Sequence, residues 1–84
     1  MNSAQLTMFS RDGCHLCEDM FEQLTALQQD YDFQINVIDI SGDPHLEDQF
    51  GQKVPVLTYQ DKEICHYYLD VANFKSLMKQ SIYE

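Results

Sequence analysis

The hydrophobic period changes once between residues 5 and 29, and two cysteines three apart sit at the change. Gln5-Leu6-Thr7-Met8-Phe9-Ser10 is a short apolar-rich run of strand length, with Leu6 to Phe9 as expected of a strand covered on both faces. From Leu16 the apolar residues recur at helical spacing through Met20, Leu24 and Leu27, with Cys17 and Phe21 beside them, as a core-facing stripe. Arg11-Asp12-Gly13 makes the turn between the two, and the helical pattern continues to about Gln29. Cys14-His15-Leu16-Cys17 therefore opens a helix directly after a strand.

Two thiols so placed can do redox chemistry. Cys14 sits where unpaired backbone N–H groups and the positive end of the helix dipole favour an anion, which moves a thiol down from about 8.5 toward neutrality. Arg11 and a protonated His15 act in the same direction, while Asp12, Glu18 and Asp19 oppose it. A moderately lowered value is expected, with the acidic side chains largely turned away from the sulfur. Cys17 lies one helical turn further on the same side, within reach for disulfide closure. Its neighbours Met20 and Phe21 point to partial burial, which keeps a resolving thiol protonated until it is needed.

The rest of the chain continues the alternation. Phe33 to Ile40 reads as a second strand, broken by Ser41-Gly42. Asp43 caps a short helix with Pro44 at its first position and Leu46 and Phe50 as a buried pair, ending near Gly51. Val54 to Tyr59 and Glu63 to His66 are strands on either side of Gln60-Asp61-Lys62, a hairpin spacing. Asp70 caps a terminal helix in which Val71, Phe74, Leu77, Met78 and Ile82 repeat at helical spacing. The order is βαβαββα. A right-handed βαβ unit followed by a hairpin gives an α/β domain, residues 1–84, with a four-stranded mixed sheet flanked by three helices, the thioredoxin-like architecture.

The segment from Thr7 to Cys17 resembles the glutaredoxin active site, and Lys53-Val54-Pro55 resembles that family's Thr-Val-Pro. Among glutaredoxins the chain is most similar to the small bacterial glutaredoxin-like proteins with a Cys-His-x-Cys motif. The resemblance implies a thiol–disulfide oxidoreductase in which Cys14 is the nucleophile and Cys17 the resolving thiol. Substrates would be protein disulfides or glutathione mixed disulfides, with no bound cofactor and glutathione as a co-substrate. By itself Pro55 marks a strand start or an edge, and only about 5% of X-Pro bonds are cis. The resemblance implies a cis Val54-Pro55 bond beside the cysteines, with the Val54 backbone free to pair with substrate.

Arg11 takes the place of the basic residue that meets a glutathione carboxylate in that family; an ordinary surface arginine is the alternative. His15 stands where the family has proline and can favour the thiolate, or is simply an exposed residue at a helix start. Cys65-His66 replace the paired glycines after the fourth strand, and side chains there would narrow the approach of glutathione. Cys65 reads as a buried apolar-like residue, or else as a third redox thiol.

Two other readings use the same cysteines. One is a zinc or iron–sulfur module, with His15, His45, Cys65 and His66 as further candidate ligands; Cys65 and His66, adjacent on a strand, point to opposite faces and do not chelate together. The other is a thioredoxin-fold interaction domain without turnover.

Composition narrows the partners. Fourteen Asp+Glu against five Lys+Arg give a net charge of −9, which repels both a phosphate backbone and anionic lipid. No apolar stretch approaches the ~18 residues of a membrane span. An odd cysteine count suits a reducing compartment, and no basic-then-apolar leader opens the sequence, so a cytoplasmic monomer is expected.

Overall fold

The computed structural model describes residues 4–83, with side chains described from residue 4 to residue 79. Seven elements follow in the expected order: β1 (Ala4–Ser10), α1 (His15–Leu27), β2 (Phe33–Asp39), α2 (Pro44–Phe50), β3 (Val56–Tyr59), β4 (Lys62–His66) and α3 (Val71–Tyr83). The four strands form one sheet in the order β2-β1-β3-β4. β1 pairs parallel with β2, so that Ala4 faces Phe33 and Met8 faces Val37, and antiparallel with β3, where Met8 faces Leu57. β3 and β4 form the antiparallel hairpin. This is the thioredoxin-like α/β fold.

Strand alternation divides the core. Ala4, Leu6 and Met8 point to one face of β1, where with Leu57 and Cys65 they meet Met20 and Leu24 of α1 and Phe74 and Met78 of α3. Phe9 points to the opposite face and stacks on Phe50 of α2, ring centroids 4.1 Å apart. Helices therefore cover both faces of the sheet. The side of β1 toward α2 is only half-buried at Thr7 and Phe9, so the strand is fully covered on one face alone.

Local chemistry sets the boundaries. Asp43 accepts from the N–H groups of His45 and Leu46 at 3.0 and 3.2 Å, and Asp70 accepts from Asn73 at 3.0 Å, the two caps anticipated from the sequence. The β3–β4 turn is tighter than expected. Gln60 and Asp61 both have positive φ, 52° and 65°, leaving Lys62 to begin β4. Val54 and Pro55 lie before β3 rather than in it.

Helix α1 ends at Leu27 and continues as a turn to Asp30, whose N–H donates to the Leu27 carbonyl. Leu46 and Phe50 are half-buried, because α2 covers only the outer face of the sheet near β1. Phe21 and Val71, read as core positions, are exposed. Ile82 lies outside the residues whose side chains are described. Among the described residues, no helix is long and apolar enough to cross a membrane.

Candidate functional site

The strand-to-helix junction after β1 brings the two cysteines together. Gly13, with φ +75°, takes the left-handed conformation that turns the chain into α1. Cys14 is the N-cap residue in extended conformation, and its Sγ accepts from the Cys17 N–H at 3.2 Å. Sulfur thus occupies the position where an oxygen side chain normally meets the free amides of a helix start. Cys14 and Cys17 are joined by a disulfide, with Cα atoms 5.2 Å apart. Cys14 is half-buried, whereas Cys17 is 4% exposed, so an incoming molecule meets the first sulfur before the second.

Both cysteines line a cleft of about 500 Å³ between the first two turns of α1 and the C-terminal ends of β1 and β2. Phe21 follows Cys17 by four positions and Glu22 follows Glu18 by four, so one stripe of α1 makes the wall. Val37 and Asp39 of β2 stand opposite. Phe21 and Val37 are 43% and 45% exposed, which explains why an apolar position in the helical repeat is not a core position: here α1 overhangs the edge strand and, among the described residues, nothing packs beyond it. Asp12 and Glu18 line the same cleft as the disulfide, against the expectation that the acidic side chains turn away. Asp19 does face elsewhere, lining a smaller pocket with Leu16, Tyr67 and Tyr68.

Arg11 also lines the cleft, but its guanidinium is engaged. Nη1 donates to Glu47 Oε2 at 2.9 Å, and Nη2 donates to Glu47 Oε1 at 2.7 Å and to the Gly51 carbonyl at 3.0 Å. The Arg11 hydrogen bonds hold the Glu47 carboxyl below its ordinary value, and Glu47 in turn raises Arg11, with Asp39 adding to that shift. A bidentate arginine–carboxylate pair is the stronger kind of surface ion pair. Glu47 was not anticipated. Its partner lies 36 residues away, and no local pattern announces such a contact.

The Val54-Pro55 bond is cis and Pro55 is buried. The Val54 N–H, expected to be free, donates to the Phe50 carbonyl at 3.1 Å, and the Pro55 carbonyl accepts from the Tyr67 N–H at 3.0 Å. Neither residue lines the disulfide cleft, and His15 is exposed at the first helical position outside it. Arg11, Cys14 and Cys17 therefore line one cleft, and His15, Val54 and Pro55 are not among its lining residues.

Cys65 and His66 end β4 with their side chains on opposite faces. Cys65 belongs to the core, where burial pushes its thiol up. His66 is exposed, its Nδ1 2.6 Å from Glu63 Oε2. The left-handed residue after β4 is Tyr67, with φ 65°, and its hydroxyl donates to the Gln52 carbonyl. Among the described residues, no three His, Cys, Asp or Glu side chains converge as metal ligands.

Fold and site together define a thioredoxin-like protein with a close cysteine pair, an arrangement that supports a thiol redox role. The chain belongs to the glutaredoxin-like domain family (DUF836), whose sequence profile matches residues 5–79. A Nitrosomonas europaea protein solved by solution NMR is 39% identical, with a TM-score of 0.85 over 93% of this chain and 94% of that one. An uncharacterized protein of Mycobacterium tuberculosis is 26% identical over 99% of this chain and 91% of its own. Escherichia coli glutaredoxin, 22% identical with a TM-score of 0.56 over 95% of this chain and 99% of that one, shares the fold.

Proposed function

We propose that the chain is a thiol–disulfide oxidoreductase that cycles between a Cys14/Cys17 dithiol and the disulfide described above, reducing protein disulfides or glutathione mixed disulfides. The observation that carries this reading is the asymmetry of the pair: one sulfur at the helix start and open to the cleft, the other buried one turn behind it. The Cys14 thiolate, favoured by the helix amides, attacks a substrate disulfide and releases one substrate thiol. Cys17 then attacks Cys14 Sγ in the mixed disulfide, releases the second thiol and closes the intramolecular disulfide. Two electrons and two protons pass to the substrate, and an external thiol reductant restores the dithiol.

The remaining residues have supporting roles in this reading. The family resemblance implies a substrate contact for Val54 and Pro55 beside the cysteine pair, outside the cleft that α1 and β2 form. His15 contributes from its exposed place at the start of α1, outside the cleft. Arg11 forms part of the cleft wall with its charge already matched by Glu47. The chain needs no bound cofactor for these steps, and glutathione enters as a co-substrate.

Single-turnover reduction of a small uncharged disulfide by the dithiol form tests the proposal. Cys14→Ser should lose the reaction, and Cys17→Ser should stop at a mixed disulfide on Cys14, visible by mass. Full turnover by the Cys14→Ser variant would overturn it.

A further inference from the structure

The cleft beside the disulfide has a chemical character that the redox reading does not explain. Its walls offer apolar surface at Phe21 and Val37, with the buried Met8 behind them. Its rim is acidic, with Asp12 and Glu18 on the Cys14 side and Glu22 and Asp39 further along. Arg11, the basic side chain among the lining residues, is matched by Glu47 from outside the lining. Lys53, beside Val54, is likewise paired, with Glu63 at 2.5 Å. The other basic residues of the chain, Lys62, Lys75 and Lys79, are on β4 and α3 and do not line the cleft.

One wall of the cleft is β2, which pairs with β1 on one side and stands at the edge of the sheet. A cleft with apolar walls at Phe21 and Val37, a strand edge on one side and a rim where, among the described residues, Asp12, Glu18 and Glu22 have no cationic partner has room for an extended polypeptide. Its charge selects the sign of that polypeptide. Glutathione, with two carboxylates and one ammonium group, has the wrong sign, and among the described residues no lysine or arginine lining the cleft is left unpaired to meet it.

We infer that the preferred substrate is a disulfide carried on a lysine- or arginine-rich protein segment, which lies in the cleft between α1 and β2 with its apolar residues against Phe21 and Val37. The inference rests on the oxidoreductase reading and names its substrate class. The exchange itself is unchanged. Cys14 displaces one sulfur of the segment's disulfide and Cys17 the other, so the segment gains two electrons and two protons and the chain ends in its disulfide form.

The test uses the full chain in its dithiol form and three short peptides, each closed by one internal disulfide and differing only in flanking lysines, glutamines or glutamates, with glutathione disulfide as a fourth oxidant. Acid quench, alkylation and mass measurement give the rate of Cys14–Cys17 disulfide formation. Every rate ratio is taken relative to that of dithiothreitol with the same oxidants, which removes the intrinsic effect of peptide charge on exchange. The lysine peptide should react about tenfold or more faster than the glutamate peptide at low ionic strength, and the ratio should shrink as salt is added.

Glu18→Gln/Glu22→Gln should narrow that ratio. A shift in Cys14 reactivity caused by the substitutions affects all peptides alike and cancels in it. Asp30→Asn/Asp61→Asn, which removes the same net charge outside the cleft, should leave the ratio in place. Equal rates for the three peptides, a faster reaction with glutathione disulfide, or a ratio untouched by the Glu18/Glu22 substitutions would overturn the substrate class while leaving the redox reading standing. Failure of all four oxidants to close the disulfide would overturn both.

Discussion

Arg11 at the end of β1 grips Glu47 on α2 through two parallel hydrogen bonds of 2.9 and 2.7 Å, tying the loop that presents Cys14 to a helix 36 residues away. The pair forms where the sheet carries little other packing, since α2 has no fully buried side chain. Because Arg11 holds the Glu47 carboxyl below its ordinary value of 4.5, the pair contributes fully above that pH. The contribution is lost as pH falls through the lower folded value. Glu47→Gln should therefore lower the thermal midpoint at pH 7, and the gap from the parent chain should close on titration toward pH ~3. A gap that stays constant over the whole range would assign the effect to packing instead of charge.

Much of this arrangement is written in local pattern. The strand and helix order, both aspartate caps and the Cys14/Cys17 junction follow from spacing and capping chemistry, because each depends on residues within one or two turns. Phe21 and Val71 show the limit. Helical periodicity says which residues share a face but not where the neighbouring element stops, and α1 overhangs the sheet edge at Phe21. The cleft depends on β2 being an edge strand, a property of the whole sheet. Arg11 was legible as a residue of the turn before Cys14, yet its partner Glu47 was not, since a contact across 36 residues leaves no periodic trace. Val54 and Pro55 show the reverse: the cis bond was implied by resemblance, and the strand start was misplaced because two apolar residues precede β3 without pairing in it.

The β3–β4 turn is built from residues that resist its conformation. Gln60 and Asp61 have φ of 52° and 65°, values that cost a side-chain-bearing residue about 1 kcal/mol or more. Two-residue hairpins favour asparagine and glycine at such positions. Gln60→Asn/Asp61→Gly should stabilise the chain by about 1 kcal/mol, part of the relief being offset by the greater freedom of glycine in the unfolded state. Urea unfolding measures the change as a higher midpoint at unchanged slope, and a lower midpoint would contradict it.

Phe74 is the hub of the core on the α1/α3 face. It is fully buried, with Tyr31 and Phe33 presenting ring edges at centroid distances of 5.7 and 5.0 Å. Truncation removes both aromatic contacts and leaves a cavity between α3 and the sheet, so Phe74→Ala should cost about 3–5 kcal/mol. For a small domain that is a large part of the ~5–15 kcal/mol available, and the variant should be partly unfolded at room temperature. Phe74→Leu, which refills most of the volume, should lose less than half as much. Equal losses from the two variants in urea unfolding would show that ring geometry, and not volume, sets the cost.

The three thiols should separate by reactivity once the disulfide is reduced. Cys14 is half-buried at the helix start and opens to the cleft, Cys17 is 4% exposed, and Cys65 is 9% exposed in the core with its thiol pushed up by burial. Exposure alone ranks Cys65 close to Cys17, so the two must be distinguished by surroundings. Cys17 borders the cleft, whereas Cys65 belongs to the core cluster between sheet and helices and should need local opening before an alkylating reagent can reach it. Timed alkylation of the native dithiol form should label Cys14 first, about tenfold or more ahead of Cys17, with Cys65 last. Raising the pH should speed Cys65 only in proportion to its rare openings, and denaturant should collapse the whole order. Labelling of Cys65 alongside Cys14 in the native protein would mean that the core on the α3 side opens readily, and the assignment of Cys65 to packing would fail with it.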